Sequence, residues 1–368
     1  MQKEVKPTCK ENQGGPTLGY VSVSLLEKDG LFFKDFEGDG VLYPYEDWRL
    51  SPLERAKDLS ERLSVEEMAG LMMYSPHQMV PSLPGMPFEA TYGGEAYDPS
   101  MPAYSISDQL EGFLKEEHIR HVLLMTYQDT ETAVCWNNAM QAICEEMPHG
   151  IPANICSDPR HGAGSAGAEY RSEGSGTSKW PEGLAMAATF DPDLCREAAK
   201  IMAKEYRALG IATALSPQVD LGTEPRWMRI EDTFGADPSL VTAMSRAYCE
   251  GMQEDEGEGG WGMTSVNAMA KHWPGGGPCE GGRDAHYPFG KFAVYPGKAL
   301  TEHLKPFLEG AFDLQGKTKK VAAVMPYYTV SFGVDPSGEM VGNSYSKYII
   351  KDMLRGEAGF DGVICTDW

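Results

Sequence analysis

Residues 266–273 read VNAMAKHW, a short apolar run that passes directly into a lysine and a histidine. Five more short apolar runs recur along the chain, at residues 122–125, 151–156, 211–215, 321–325 and 363–366. Amphipathic stretches with helical spacing separate them, at residues 130–147, 191–209, 237–254, 301–312 and 344–356. Short buried strands that alternate with helices are typical of a parallel sheet covered by helices. The sequence therefore predicts an α/β fold.

Polar residues follow the carboxyl ends of these runs, with Asp158, Ser216, Lys271 and Asp367 as examples. A closed barrel collects its active site from many strand ends, whereas an open doubly wound sheet concentrates it at one switch point. The spread of polar residues along the chain favours a (β/α)8 TIM-like barrel. Six strands are clear and residues 185–189 are a candidate for a seventh, so we expect a barrel that is incomplete at its carboxyl terminus.

The amino-terminal part of the chain does not show this alternation of apolar runs and helical stretches. Residues 1–40 have weak periodicity, so we predict an amino-terminal arm there and a barrel domain over residues 41–368. Residues 51–73 predict one helix, because Ser51 can cap its start and apolar residues recur with helical spacing. Residues 75–105 are rich in Pro, Gly and Tyr and predict a long loop.

Composition excludes several classes of partner. The chain has 54 acidic and 32 basic residues and a formal charge of −22, which disfavours nucleic acid and anionic membranes. We find no apolar stretch near the ~18 residues of a membrane-spanning helix. Residues 1–15 lack the apolar core of a signal peptide, so we expect a cytoplasmic protein. None of the eight cysteines lies in a Cys-x-x-Cys pair, and we expect neither a metal nor a cofactor.

Two motifs could bind a polar ligand. Asp158 follows an apolar run in CSDPRHG, residues 156–162, where it could accept hydroxyl donors from a sugar or form an Asx-turn. Arg226 and Arg229 lie in a segment without periodicity. They could form ion pairs with acidic residues a few positions later, or they could clamp a polar ligand, since each guanidinium offers five donors.

Two further motifs could carry chemistry. Lys271 and His272 end an apolar run and precede three glycines, which allow a ligand to approach the backbone closely. Asp284 and His286 could pair as an acid/base dyad, although a salt bridge from Asp284 to Arg283 explains the same residues. Asp367 ends the last buried run beside Trp368, where a carboxylate could attack an electrophilic carbon and the indole could support the face of a sugar.

Taken together, these motifs resemble glycoside hydrolase family 3 over the chain from about residue 43 to its end. The resemblance implies a (β/α)8 barrel, or a degenerate form of one, that removes β-linked sugars from non-reducing ends with retention of configuration. It assigns Asp367 as the nucleophile. The residues that it implies for sugar binding are Asp158, Arg226, Lys271 and His272, with Tyr328 as an aromatic residue near the nucleophile and Trp368 as one wall of the site.

The resemblance also raises the question of the proton donor. In most of the family this is a Glu in a second domain after the nucleophile, so we expect a companion polypeptide or an oligomer to supply it. In the N-acetylglucosaminidase branch a His paired with an Asp takes this role, and Asp284 and His286 match that pattern. Three hypotheses follow: a β-glucosidase or exo-glucanase that acts on β-glycosides or oligosaccharides, an N-acetylhexosaminidase that uses His286, and a non-catalytic carbohydrate-binding remnant.

Overall fold

The computed structural model describes residues 4–162 and 176–367. The chain divides into two compact units, Met1–Cys156 and Ser157–Trp368. It contains seven parallel strands in one sheet. The α/β class predicted from the alternating runs is therefore confirmed, and closure into a barrel stays a prediction.

The first unit begins with two antiparallel hairpins where the sequence predicted an arm. Strand β1 (Thr8–Lys10) pairs with β2 (Leu18–Tyr20), and β3 (Ser24–Lys28) pairs with β4 (Leu31–Asp35). Asp29 and Gly30 connect β3 to β4 with φ angles of 58° and 75°. A two-residue hairpin turn of this type needs positive φ at both positions, and Asp-Gly is one of its preferred sequences. The boundary at residue 40 stays a prediction.

The helix predicted over residues 51–73 is two helices, α1 (Pro52–Ser60) and α2 (Val65–Leu71). Ser51 and Ser64 each cap one of them, and in both cases a glutamate three residues later completes a capping box. The second capping box starts a new helix, which explains the break. Two more helices follow in this unit, α3 (Asp108–Lys115) and α4 (Thr130–Glu146), and α4 agrees with the prediction for residues 130–147.

Three parallel strands complete the first unit: β5 (Gln78–Val80), β6 (His121–Tyr127) and β7 (Asn154–Ser157), whose last residue begins the second unit. Strand β6 pairs with β5 on one side and with β7 on the other. Its central residues Val122–Leu124 are buried, which explains the continuous apolar run. Strand β5 lies inside the stretch predicted to be a long loop, and its three residues are too few to show a period.

The second unit contributes the other four strands of the parallel sheet. In spatial order they are β8 (Ile211–Ala214), β9 (Asn267–Trp273), β11 (Ala323–Pro326) and β13 (Val363–Ile364). A separate pair, β10 (Phe292–Ala293) and β12 (Val330–Ser331), joins two of the intervening loops.

The helices of the second unit are α5 (Gly183–Ala187), α6 (Pro192–Ala208), α7 (Pro238–Gln253) and α8 (Leu300–Lys305). Helix α8 continues as π-helical turns over Pro306–Ala311, and a second π-helix covers Tyr348–Glu357. The seventh strand suggested at residues 185–189 is wrong, because α5 covers most of that stretch. Its alanines and Met186 are good helix formers, and β-branched residues are absent until Thr189.

Among the described residues there are also short 3₁₀ turns, at Pro148–Gly150, Ile230–Asp232, Glu280–Gly282, Pro296–Lys298 and Asn343–Tyr345. Within the two described ranges, none of the helices combines the length and apolarity needed to cross a lipid bilayer. All eight cysteines are free thiols; Cys9 is exposed and the other seven are buried. Burial raises the pKa of the Cys195 and Cys279 thiols to about 12.

Candidate active site

The carboxyl ends of the parallel strands hold the residues predicted to be functional. Asp158 follows β7 directly, and Lys271 and His272 lie near the carboxyl end of β9. Tyr328 lies two residues beyond β11, and Asp367 lies three residues beyond β13. Since parallel strands present their carboxyl ends at one edge of a sheet, this is the edge where a site can form.

Lys271 and Asp158 contact each other. The Lys271 Nζ atom lies 3.1 Å from Asp158 Oδ1. The lysine is buried, and a buried ammonium needs a charged or polar partner to offset its desolvation. The two residues are 113 positions apart in the sequence, so the sheet brings them together as the prediction requires.

His272 is held between a carboxylate and a guanidinium. Its Nδ1 atom lies 2.7 Å from Asp220 Oδ2, and Arg229 Nη1 lies 3.2 Å from its Nε2. A guanidinium can only donate, so Nε2 accepts and Nδ1 carries the proton that Asp220 accepts. Burial and the neighbouring Arg229 charge lower the pKa of His272, which keeps the imidazole neutral. Burial opposes the charge of Asp220, but the hydrogen bonds from His272 and Gly276 lower its pKa overall.

The structure does not bring Arg226 to this cluster. Its guanidinium makes two contacts with Glu224, at 2.9 and 2.7 Å, and its side chain is 72% exposed. Arg229, which the resemblance did not assign to sugar binding, lies there instead, buried beside His272. Both arginines lie on one irregular segment, so periodicity could not separate them. Glu224, two residues before Arg226, is the local signal that this arginine has a surface partner.

Asp284 and His286 form a close pair. The Asp284 Oδ1 atom lies 2.5 Å from His286 Nδ1 and also accepts the His286 backbone N–H at 3.0 Å. The other carboxylate oxygen accepts from Trp227 Nε1 at 2.7 Å and from the Tyr327 hydroxyl at 3.1 Å. Burial raises the pKa of Asp284, but the hydrogen bonds from the His286 ring, the His286 backbone and Trp227 hold it well below its usual range.

This arrangement agrees with an Asp284–His286 dyad rather than with a salt bridge from Asp284 to Arg283. Arg283, the other partner considered for Asp284, lies 3.8 Å from Glu280 instead. The Asp284 carboxylate is therefore an ionised acceptor that orients the His286 ring. A histidine oriented in this way can act as a general acid or base.

Tyr328 connects the dyad to Asp367. The Tyr328 hydroxyl donates to Asp367 Oδ1 at 2.7 Å. The ring of His286 contacts the ring of Tyr328 edge-on, with centroids 4.9 Å apart and planes at 73°. The predicted nucleophile, its aromatic neighbour and the predicted acid/base therefore lie side by side. Trp368 lies outside the described residues.

A cavity opens beside the lysine and the arginine, and helix α6 supports its wall. The Tyr206 hydroxyl donates to the Asp158 carbonyl at 2.8 Å, and the sequence analysis did not single out this tyrosine. The cavity is lined by both polar and apolar residues, among them Asp158, Gln218, Arg229, Lys271, Met202 and Phe234. In the part of the chain that the structure describes, no cluster of three His, Cys, Asp or Glu side chains could hold a metal ion.

Comparison with known proteins assigns the chain to a family. Residues 93–368 match the model of the glycosyl hydrolase family 3 N terminal domain. The chain therefore belongs to glycoside hydrolase family 3, as the resemblance of its motifs implied.

Individual relatives agree with this assignment. The chain is 39% identical to the periplasmic beta-glucosidase/beta-xylosidase of Dickeya chrysanthemi, over 94% of this chain and 50% of the relative. It is 38% identical to beta-glucosidase C of Emericella nidulans, over 86% of this chain and 46% of the relative. Among solved structures, a β-glucosidase of Erythrobacter marinus matches with a TM-score of 0.64 and 26% identity, over 88% of this chain and 37% of that one. The chain thus spans about half the length of the curated relatives that it matches.

Proposed function

We propose that this protein is the nucleophile-bearing part of a retaining, exo-acting β-glycosidase that hydrolyses β-glucosides. The contact between the Tyr328 hydroxyl and Asp367 carries the proposal, because it holds the carboxylate beside the Asp284–His286 dyad. The names of the two relatives with the highest identities given above, a beta-glucosidase/beta-xylosidase and a beta-glucosidase, support the substrate class. Asp158, Lys271 and Arg229 bind the hydroxyl groups of the sugar, and His272, whose two ring nitrogens contact Asp220 and Arg229, positions Arg229.

The reaction has two steps. The Asp367 carboxylate bonds to the anomeric carbon while the bond from that carbon to the leaving oxygen breaks, and this oxygen takes a proton from the acid. Water then attacks the same carbon, the ester bond to Asp367 breaks, and the proton of the water returns to the base. In this proposal a companion polypeptide or an oligomer supplies a glutamate as the acid.

Replacing the nucleophile tests the proposal. Asp367→Asn should lower turnover of an aryl β-glucoside by several orders of magnitude, because a neutral amide does not form the glycosyl ester. Asp361→Asn is the matched control, since Asp361 lies just before the same strand but is exposed and pairs with Lys320. A 2-fluoro glucoside should leave a covalent adduct on the peptide that contains Asp367. An Asp367→Asn variant with wild-type turnover would exclude this role.

The Asp284–His286 geometry favours a second candidate, an N-acetylhexosaminidase in which His286 is the acid and base. In that case His286→Ala should abolish hydrolysis of alkyl N-acetylglucosaminides and spare aryl substrates whose leaving groups need little protonation. A protein that binds sugars but forms no adduct with the fluoro glucoside would instead be a carbohydrate-binding remnant.

A further inference from the structure

Helix α6 contacts the backbone of the segment that carries Asp158, and the reaction described above does not use this contact. Tyr206 lies on α6 and is only 1% exposed. Its hydroxyl donates to the Asp158 carbonyl at 2.8 Å, and the Ser157 hydroxyl donates to the same oxygen at 3.0 Å. Burial raises the pKa of Tyr206 far above its usual range, so the hydroxyl keeps the proton that it donates.

These two donors fix the direction of the Asp158 carbonyl. A carbonyl oxygen has two lone pairs, and here two hydroxyl groups donate to it. Pro159 follows, and a residue before proline is restricted to extended backbone conformations. With its backbone held in this way, the Asp158 carboxylate can move only by rotation within its own side chain. That carboxylate contacts Lys271 Nζ at 3.1 Å.

A second contact from the same turn of α6 holds the residues that follow Asp158. The Glu205 Oε2 atom lies 2.8 Å from Nε2 of the buried His161, whose ring packs on the ring of Tyr206 with centroids 5.0 Å apart. The Ser178 hydroxyl also donates to Glu205, at 2.8 Å. Two neighbouring residues of one helix therefore contact this segment, one at residue 158 and the other at residue 161.

We propose that Tyr206, together with Glu205, positions Asp158 for sugar binding by holding its carboxylate where it contacts both Lys271 and a hydroxyl group of the sugar. The proposal rests on the proposed function, because it needs Asp158 to bind the sugar. Binding groups work only when they are held within about 0.5 Å of their productive geometry. A looser carbonyl at residue 158 should therefore weaken binding of the sugar, although Tyr206 acts only through Asp158.

A double-mutant cycle tests whether Tyr206 acts through Asp158. The probe is 1-deoxynojirimycin, which carries the hydroxyl groups of glucose on a ring with a basic nitrogen. By isothermal titration calorimetry, Tyr206→Phe should weaken binding of this probe about threefold to tenfold, as the loss of one hydrogen bond does. In the Asp158→Asn background the same substitution should weaken binding by less than about twofold, since the carboxylate that Tyr206 positions is then gone.

The free energy of unfolding separates positioning from a purely structural role. Tyr206→Phe should lower it equally in the wild type and in Asp158→Asn, because the carbonyl that loses a donor is present in both. Tyr92→Phe is the matched control: Tyr92 is also buried, and its hydroxyl accepts the Ser82 N–H within the first unit. This variant should bind the probe with the wild-type affinity.

Equal losses of affinity in the two backgrounds would overturn the proposal, and so would a Tyr206→Phe variant that binds the probe as tightly as the wild type. If Tyr206→Phe does not fold, Glu205→Gln replaces it in the cycle, because Glu205 is partly exposed and holds the same segment. A loss of affinity in Glu205→Gln that persists with Asp158→Asn would likewise overturn the proposal. If the wild-type protein does not bind the probe, the proposed function itself fails, and the two failures are thereby distinguished.

Discussion

Arg226 and Arg229 lie three residues apart, and their surroundings predict opposite responses to removal. Arg229 is buried against His272, whereas Arg226 pairs with Glu224 at the surface. Arg229→Ala should weaken glucose binding by about tenfold to a hundredfold, because it removes a charged donor from a buried cluster. Arg226→Ala should change binding by less than about twofold, since exposed ion pairs contribute little. Titration calorimetry with both variants checks this, and equal losses would contradict the assignment of Arg229.

Because His303 is buried, we expect the free energy of unfolding to depend on pH. The ring is buried beside Tyr295 and Gly275, and no hydrogen bond to its Nδ1 is present among the described residues. Burial lowers its pKa to about 4, although the charges of Asp220 and Glu302 oppose this. Between the unfolded pKa near 6.5 and this value, the unfolded chain binds the extra proton, so stability falls as the pH falls.

The measurement compares the wild type with His303→Gln. The wild-type free energy of unfolding should drop from pH 7 to pH 5, and this group alone should account for about 2 kcal/mol of the drop. The glutamine variant should lose correspondingly less over the same interval. Urea titrations at the two pH values decide the matter, and parallel losses in both proteins would show that another group causes the drop.

At the scale of elements, the packing of α6 on α7 depends on a single glycine. A Cβ added to Gly251 in α7 would lie 2.4 Å from the Arg196 carbonyl in α6 and 2.6 Å from the Ala199 Cβ. Both neighbours are parts of a packed helix and cannot rotate away. We expect Gly251→Ala to lower the free energy of unfolding by about 1–3 kcal/mol, the usual cost of overpacking.

Gly112 in α3 is the matched control, because nothing lies within 4 Å of a Cβ added there. Gly112→Ala should raise the free energy of unfolding by roughly 0.5–1 kcal/mol, since alanine is the better helix former. Urea unfolding of the two variants provides the comparison. A Gly251→Ala protein as stable as the wild type would mean that the two helices move apart at little cost.

Local sequence signals explain which elements could be predicted. Helices α4, α6 and α7 agree with their predicted limits to within a residue or two, because Asp129, Asp191 and Asp237 cap their starts. The β3–β4 hairpin was missed because only Asp29-Gly30 signals it. The site divides in the same way. Lys271 and Asp158 lie at the carboxyl ends of strands and were predicted, whereas the inward position of Arg229 depends on contacts with residues far away in the sequence.

At the scale of the molecule, the two units have different shares of the chemistry. Every residue assigned to the proposed reaction lies in the second unit, Ser157–Trp368. The first unit supplies strands β5, β6 and nearly all of β7, and its two hairpins are fastened to α4 through Glu145, which accepts from Val21, Ser22 and Lys34. The alternating runs predicted six of the seven parallel strands, in both units, and missed β5. They could not predict this division, because it follows from the density of long-range contacts rather than from any local pattern.

The burial of most of the thiols allows the rate of unfolding to be measured by chemical labelling. With Cys9 alone exposed and seven cysteines buried, a maleimide added to the native protein should attach once, and the mass should rise by one label. Each global opening exposes the other seven, so heavier species should accumulate at the rate at which molecules unfold. Mass spectrometry after timed exposure would therefore count the labels on each molecule and give the fraction of molecules that have unfolded. A native protein that takes up several labels within seconds would show that the buried thiols are reached without unfolding.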